Sequence, residues 1–120
     1  MGCSVLVVDD HDRFRAFACA LLESEGFVVV GEAGDGASAL RAVDELRPDV
    51  VLLDVQLPDL DGFEVAERLA GDATHPPVVV LISTRDAASY RRRLAETPVR
   101  GFISKGELSG AALAAVLATS

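Results

Sequence analysis

Four runs of consecutive apolar residues punctuate the chain: Val5-Leu6-Val7-Val8, Phe27-Val28-Val29-Val30, Val50-Val51-Leu52-Leu53 and Val78-Val79-Val80-Leu81-Ile82. None alternates apolar with polar, and each is rich in valine. A parallel strand covered on both faces reads this way, because both sides of its pleat meet apolar neighbours. A fifth, shorter run, Gly101-Phe102-Ile103-Ser104, reads as an edge strand.

The segments between these runs carry helical spacing. Phe14, Phe17, Ala18, Leu21 and Leu22 make one stripe, with Gly26 placed to cap its C-terminus. Ala39, Leu40, Val43 and Leu46 make a second that stops before Pro48. Phe63, Ala66 and Leu69 make a third, ending near Gly71. Tyr90 and Leu94 mark a fourth helix opened by Asp86, its apolar face interrupted by Arg91-Arg92-Arg93. Leu113, Val116 and Leu117 mark a fifth, opened by Ser109. Pro76-Pro77 and Pro98 break the helices before the fourth and fifth strands. Five β-α repeats predict an α/β fold, a parallel sheet with helices on both faces.

Length and charge narrow the function. A chain of 120 residues is expected to form a single domain, residues 1–120, with an apolar core that needs no staples. The net charge of -8 disfavours a grip on nucleic acid by this domain and favours cations. No run approaches the roughly 20 apolar residues a membrane span requires. Met1-Gly2-Cys3-Ser4 lacks the basic segment of a signal peptide, and its direct run into a strand makes a myristoylation site a poor reading. Cys3 and Cys19 have no metal-ligand spacing, so reduced thiols and a cytoplasmic location are expected.

The chemistry is expected where the strands end, because open parallel α/β sheets bind ligands outside their carboxyl edge. The first strand ends at Asp9-Asp10, the third at Asp54 and the fourth at Ser83-Thr84; Lys105 follows the fifth. Each alone is an ordinary helix cap or loop residue. Together they place three acids, a hydroxyl and an ammonium at matching positions on four strands. Close carboxylates repel, and either Lys105 or a divalent cation offsets that repulsion. Oxygen ligands suit magnesium; with no Cys or His counted among them, zinc is disfavoured.

These residues make the chain resemble the receiver family of bacterial response regulators. The resemblance rests on Val5-Leu6-Val7-Val8-Asp9-Asp10, on Asp49-Val50-Val51-Leu52-Leu53-Asp54 with Pro58 and Gly62, on Ser83-Thr84, and on Gly101-Phe102-Ile103-Ser104-Lys105. It covers essentially the whole chain and is nearest to receivers of the nitrate-regulator class, which precede helix-turn-helix output domains. It implies a doubly wound (βα)5, flavodoxin-like fold with strand order 2-1-3-4-5. It also implies that Asp54 accepts a phosphoryl group from a sensor histidine kinase. Magnesium would be held by Asp10, by Asp9 chiefly through water, by Asp54 and by the Gln56 carbonyl. Ser83 and Lys105 would bond phosphoryl oxygens, and Phe102 matches the family's switch aromatic. The family's usual proline after the lysine is here Gly106, so a trans Lys105–Gly106 bond is expected. Gln56 and Arg85 occupy the positions that tune phosphate lifetime, and a long side chain and a cation there predict slow self-dephosphorylation.

Other features have plainer readings. His11 reads as a helix-start residue and His75 as loop. Gly31-Glu32-Ala33-Gly34-Asp35-Gly36 has the wrong glycine spacing for a dinucleotide loop. Asp59 and Asp61 are expected to cap the third helix, and Arg91-Arg92-Arg93 to be a solvated face. The small, apolar last helix, Ala111 to Ala118, either finishes the core or meets a second copy in a homodimer, the latter modestly favoured. Two other functions fit the residues less well. A phosphate-ester hydrolase would need an acid at position 56, where Gln stands; a non-phosphorylated binding module would not need Asp10, Asp54, Ser83 and Lys105 intact.

Overall fold

The computed structural model describes residues 3–72 and 75–118. Five strands, β1 (Ser4–Val8), β2 (Val28–Ala33), β3 (Val50–Asp54), β4 (Val78–Ser83) and β5 (Gly101–Ser104), form one sheet. All are parallel, in the order β2-β1-β3-β4-β5. The helices are α1 (Asp12–Ser24), α2 (Gly36–Leu46), α3 (Gly62–Asp72), α4 (Arg91–Glu96) and α5 (Gly110–Ala118). This is the doubly wound, flavodoxin-like arrangement expected above.

The valine-rich strands divide their side chains between the two faces, as the pleat requires. Val5, Val7, Val50, Leu52, Val80 and Ile82 pack with Ala18 and Leu22 of α1 and Leu113 of α5. Leu6, Val8, Val51, Leu53, Val79 and Leu81 pack with Ala39 and Val43 of α2 and Phe63, Ala66 and Leu69 of α3. Each fully buried Val, Leu or Ile contributes about 1.5–3 kcal/mol of transfer free energy. The central strands β1 and β3 are therefore rigid, and their carboxyl ends make a fixed platform.

The predicted caps form. Asp86 accepts from Ser89 N–H at 3.2 Å, and Ser109 Oγ accepts from Ala112 N–H at 2.9 Å. Asp35, for which no cap was predicted, does the same for α2 through Ser38 N–H at 2.7 Å. Gly26 takes φ +99°, the left-handed turn that glycine adopts without steric cost.

Several boundaries differ from expectation. β2 begins at Val28, not Phe27, and continues through Gly31, Glu32 and Ala33, so those residues are strand and not loop. As an edge strand, β2 tolerates a glycine and a charge that a central strand would not. Phe17 is 55% exposed, outside the α1 stripe that buries Ala18, Cys19 and Leu22. The fourth helix opens as a 3-10 turn over Ala87–Tyr90 before α4. No cis peptide occurs among the described residues, so the Lys105–Gly106 bond is trans.

Candidate functional site

The site lies where β1, β3 and β4 end and the segment after β5 crosses over them. Asp54 closes β3, and Asp9 and Asp10 follow β1. β1 and β3 are hydrogen-bonded neighbours, which brings these acids into one cup. One oxygen from each of Asp9, Asp10 and Asp54, together with a His11 ring nitrogen, lies within 4.8 Å of all the others. Lys105 Nζ reaches in from the 3-10 turn after β5, 2.7 Å from Asp9 Oδ2 and 3.1 Å from Asp54 Oδ2. The two carboxylates are buried and the ammonium nearly so: Lys105 is 10% exposed, Asp9 0% and Asp54 4%.

Charge explains the balance of this group. Burial pushes the Asp54 carboxyl above its ordinary value, Asp9's charge pushes the same way, and Gln56 N–H and Lys105 pull it back down. Burial pulls the Lys105 ammonium down, but the bonds and charges of Asp9 and Asp54 outweigh it and its pKa is raised. The ammonium also sits 4.6 Å from the centre of the Phe14 ring, a cation–π contact that excludes water beneath it. Phe14, expected only as core, thus supports the site's one ammonium.

His11, expected at a helix start, is the N-cap of α1. It does more: its N–H donates to Asp9 Oδ1 at 2.8 Å, and its Nδ1 lies 3.2 Å from Asp9 Oδ1 and 3.1 Å from Asp10 Oδ1. Its ring therefore stands among the groups able to hold a cation, beside the carboxylates that the strand ends supply. Arg15, which no sequence motif marks, ties α1 to β2 through Glu32 Oε1 at 3.0 Å and donates to the Asp9 carbonyl.

The β3–α3 loop frames the other side of the cup. Gln56 N–H donates to Asp54 Oδ1 at 3.1 Å, and Gln56 bridges to Asp61 across the loop. Gly62 N–H bonds the Val55 carbonyl at 2.7 Å. A Cβ at Gly62 would collide with the Asp54 carbonyl and lie 2.9 Å from Val55 Cα, so only glycine lets the loop close here. Asp61 caps α3 through Glu64 N–H at 2.9 Å, as expected. Asp59 does not. It accepts from Gly36 and Ala37 N–H at 2.7 and 3.0 Å, clamping the loop to the N-terminus of α2, and these backbone bonds hold its pKa below the usual range. Asp59 thus sits at the positive end of the neighbouring helix α2 and not of α3.

Ser83 ends β4 and is buried, but its hydroxyl does not reach into the cup. It accepts from Arg85 N–H at 3.1 Å and pairs with Tyr90 Oη at 3.2 Å. Tyr90 stands between Phe63 and Phe102, ring centres 5.6 and 5.9 Å away. Phe102 is half-buried at that position. Arg93 is not simply solvated: it pairs with Asp61 Oδ2 at 2.9 Å and lies 4.1 Å over the Phe63 ring. The structure therefore brings Asp9, Asp10, Asp54, Lys105 and the Gln56 backbone together, and links Ser83 and Phe102 through Tyr90 beside them.

An oxygen-ligated cation fits this cup. Asp9 Oδ2 is fully buried with no hydrogen-bond donor in good geometry, leaving it only the ion contact with Lys105. Three carboxylates against one ammonium leave negative charge uncompensated, which suits a hard divalent ion. Cys19 lies in the core, its thiol pushed up to about 11 chiefly by burial, and takes no part. No helix among the described residues is long and apolar enough to cross a membrane.

Known proteins place the geometry in a family. Residues 5–117 match the response regulator receiver domain. The chain is 38% identical over 104 residues to the response regulator GacA of Pseudomonas viridiflava, covering 85% of this chain and 48% of that protein. It is 38% identical over 104 residues to the virulence-factor transcription regulator BvgA of Bordetella pertussis, covering 86% and 49%. The chain thus spans about half the length of the curated relatives it matches. Among solved structures, the signal receiver domain of the response regulator NarL from Mycobacterium tuberculosis superposes with a TM-score of 0.85 at 34% identity, over 98% of both chains. With the strand order, the acid cup and Lys105 in place, the chain belongs to the response regulator receiver domain family.

Proposed function

We propose that this chain is a phosphorylation-dependent switch in which Asp54 takes a phosphoryl group from a phosphohistidine of a sensor kinase or from a small phosphodonor. The observation that carries this reading is the Asp54 carboxylate at the end of β3, held 3.1 Å from Lys105 Nζ in one cup with Asp9 and Asp10. An Asp54 oxygen attacks phosphorus, the P–N bond of the donor breaks, and the imidazole leaves and takes a proton from solvent. The product is an acyl phosphate. Such transfers have loose transition states, so the protein contributes position and charge.

Asp9, Asp10, Asp54 and the Gln56 carbonyl would hold magnesium, which supplies charge neutralisation for the phosphoryl oxygens. Lys105 leaves its carboxylate contacts to bond one phosphoryl oxygen, and Ser83 turns to bond another. Those contacts exist only in the phosphorylated state, and only such differences move a conformational equilibrium. The protein assists its own phosphorylation but turns over no separate substrate, because Gln56 cannot serve as an acid or base. By likeness to transcription regulators the output is transcription, inside the cytoplasm. The net charge of -8 keeps DNA off this domain, so a separate segment would read it.

Intact mass after incubation with acetyl phosphate and magnesium tests the reading. One added phosphoryl is expected in the wild type and none in Asp54→Asn. No adduct, or an adduct that survives the substitution, refutes it.

A further inference from the structure

We propose that Tyr90 is a positioning residue for this switch: its phenol holds the Ser83 hydroxyl outside the Asp54 cup until phosphorylation draws it in. The proposal rests on the phosphoacceptor reading of Asp54.

A serine hydroxyl donates one proton and accepts two. Ser83 Oγ has two hydrogen-bond partners, Arg85 N–H at 3.1 Å and Tyr90 Oη at 3.2 Å, and neither belongs to the cup. Phosphoryl oxygens near neutral pH are acceptors, so Ser83 must aim its proton at them. Moving Oγ from one staggered rotamer to the next, a turn of about 120°, carries it off the phenol. Tyr90 Oη then loses its protein partner.

The consequence travels because of where Tyr90 stands. It ends the 3-10 turn and is the residue immediately before α4. Its ring is wedged between Phe63, which opens α3, and Phe102 on β5. The same corner is tied by Arg93, bound to Asp61 and stacked over Phe63. Releasing the phenol frees the polar tether of Tyr90 in the aromatic contact that joins α4 to the sheet. Ser83 would thereby pass the state of Asp54 to α4 through a single hydrogen bond. The tether also opposes phosphorylation. A neutral hydrogen bond has a net effect of roughly 2- to 12-fold on an equilibrium, and its removal should favour the phosphoryl-bound state by that factor.

The chain contains one tyrosine and no tryptophan, so tyrosine emission reports Tyr90 alone. Wild type, Ser83→Ala and Tyr90→Phe are titrated with beryllium fluoride and magnesium, a phosphoryl mimic, with bound fluoride followed by fluorine-19 NMR. Wild-type emission is expected to change in step with bound fluoride. Ser83→Ala should start near the final wild-type emission and respond little when bound. Tyr90→Phe should bind roughly 2- to 12-fold more tightly than wild type. Fluoride binding with unchanged wild-type emission, or Tyr90→Phe binding no tighter than wild type, overturns the tether and leaves Asp54 as phosphoacceptor. Wild type that binds no beryllium fluoride while Asp54 gains no phosphoryl by mass removes both readings together.

Discussion

Replacing Lys105 by Met removes the one ammonium between two buried carboxylates while keeping most of the apolar stem. Asp9 Oδ2 and Asp54 Oδ2, 2.7 and 3.1 Å from Nζ, lose their shared counter-charge. Breaking a buried ion pair by deleting one partner costs about 3–5 kcal/mol. A second limit comes from protonation. Once repulsion exceeds the work of protonating a carboxyl, Asp54 takes up a proton instead. At pH 7 that work is about 4 kcal/mol for a carboxyl of ordinary pKa near 3.8, and less for Asp54, whose value burial has already raised. A loss of about 2–4 kcal/mol at pH 7 without divalent ions is therefore expected. For 120 residues that lowers the thermal midpoint by about 8–16 °C.

The pH dependence has a definite sign. The Lys105 pKa is raised on folding, so its contribution is complete below its ordinary 10.5 and fades only as pH climbs through the higher folded value. At pH 7 the wild type has all of it. In Lys105→Met the deficit should shrink as pH falls toward 4.5, because protonating Asp54 relieves the repulsion. Magnesium should recover stability, and more in Lys105→Met than in wild type, by binding the folded state. Urea unfolding of wild type, Lys105→Met, Asp54→Asn and the double variant measures all of this. The two substitutions should couple by at least about 1 kcal/mol. Additive effects, or a Lys105→Met deficit that does not change between pH 7 and 4.5, would refute the argument that these charges are one electrostatic unit.

Three further outcomes follow from the same geometry. Asp54→Asn should raise the thermal midpoint at pH 7 in metal-free buffer: a carboxyl whose pKa folding raises favours the fold only when protonated, so the gain should vanish below pH 3.8, as melts across pH would record. The phosphorylated protein with magnesium should lose its phosphoryl group over minutes or longer, and Arg85→Ala should shorten that time; a wild-type half-life of seconds by intact mass sinks the shielding role of Gln56 and Arg85. Gly62→Ala should cost about 3 kcal/mol or more in urea unfolding, because its Cβ meets the Asp54 backbone and Val55 Cα and neither can move without distorting β3; a cost under 1 kcal/mol would mean the loop closes differently.

What could be read from the chain divides along physical lines. Strands β1, β3 and β4 were legible because burial on both faces forces continuous apolar runs. β2 was misplaced at both ends because an edge strand is under weaker constraint: Gly31 and Glu32 look like loop, yet they pair with Leu6 and Val7. The cup was legible because strand ends are fixed points in a parallel sheet, so Asp54 and Lys105 could be matched across 51 positions. The supporting contacts had no such fixed frame. Asp59 reaches 23 positions back to Gly36, which depends on how a loop folds over a neighbouring helix. Phe14 and Tyr90 sit at helical spacing and so read as core. Their placement against Lys105 and Ser83 is set by helix rotation, which the hydrophobic stripe specifies only to within its width.

That division bears on how the site works. Asp9, Asp10 and Asp54, legible from sequence, sit at rigid strand ends and hold charge in place, whereas Ser83 and Lys105, equally legible, hold contacts that can be exchanged. The residues with plainer sequence readings, His11, Phe14, Asp59, Tyr90 and Arg93, link that platform to α1, α2, α3 and α4, whose ends are held by a few exposed or half-buried polar bonds. A local change of charge can be transmitted only through contacts that break at modest cost, and elements with few buried contacts open most readily. Helix α4 fits that requirement best: it is six residues long and buries none of them. Among the described residues its polar ties toward the site are the Tyr90–Ser83 bond and the Arg93–Asp61 pair. The buried strands that make the site recognisable in sequence are therefore the part least able to carry its signal.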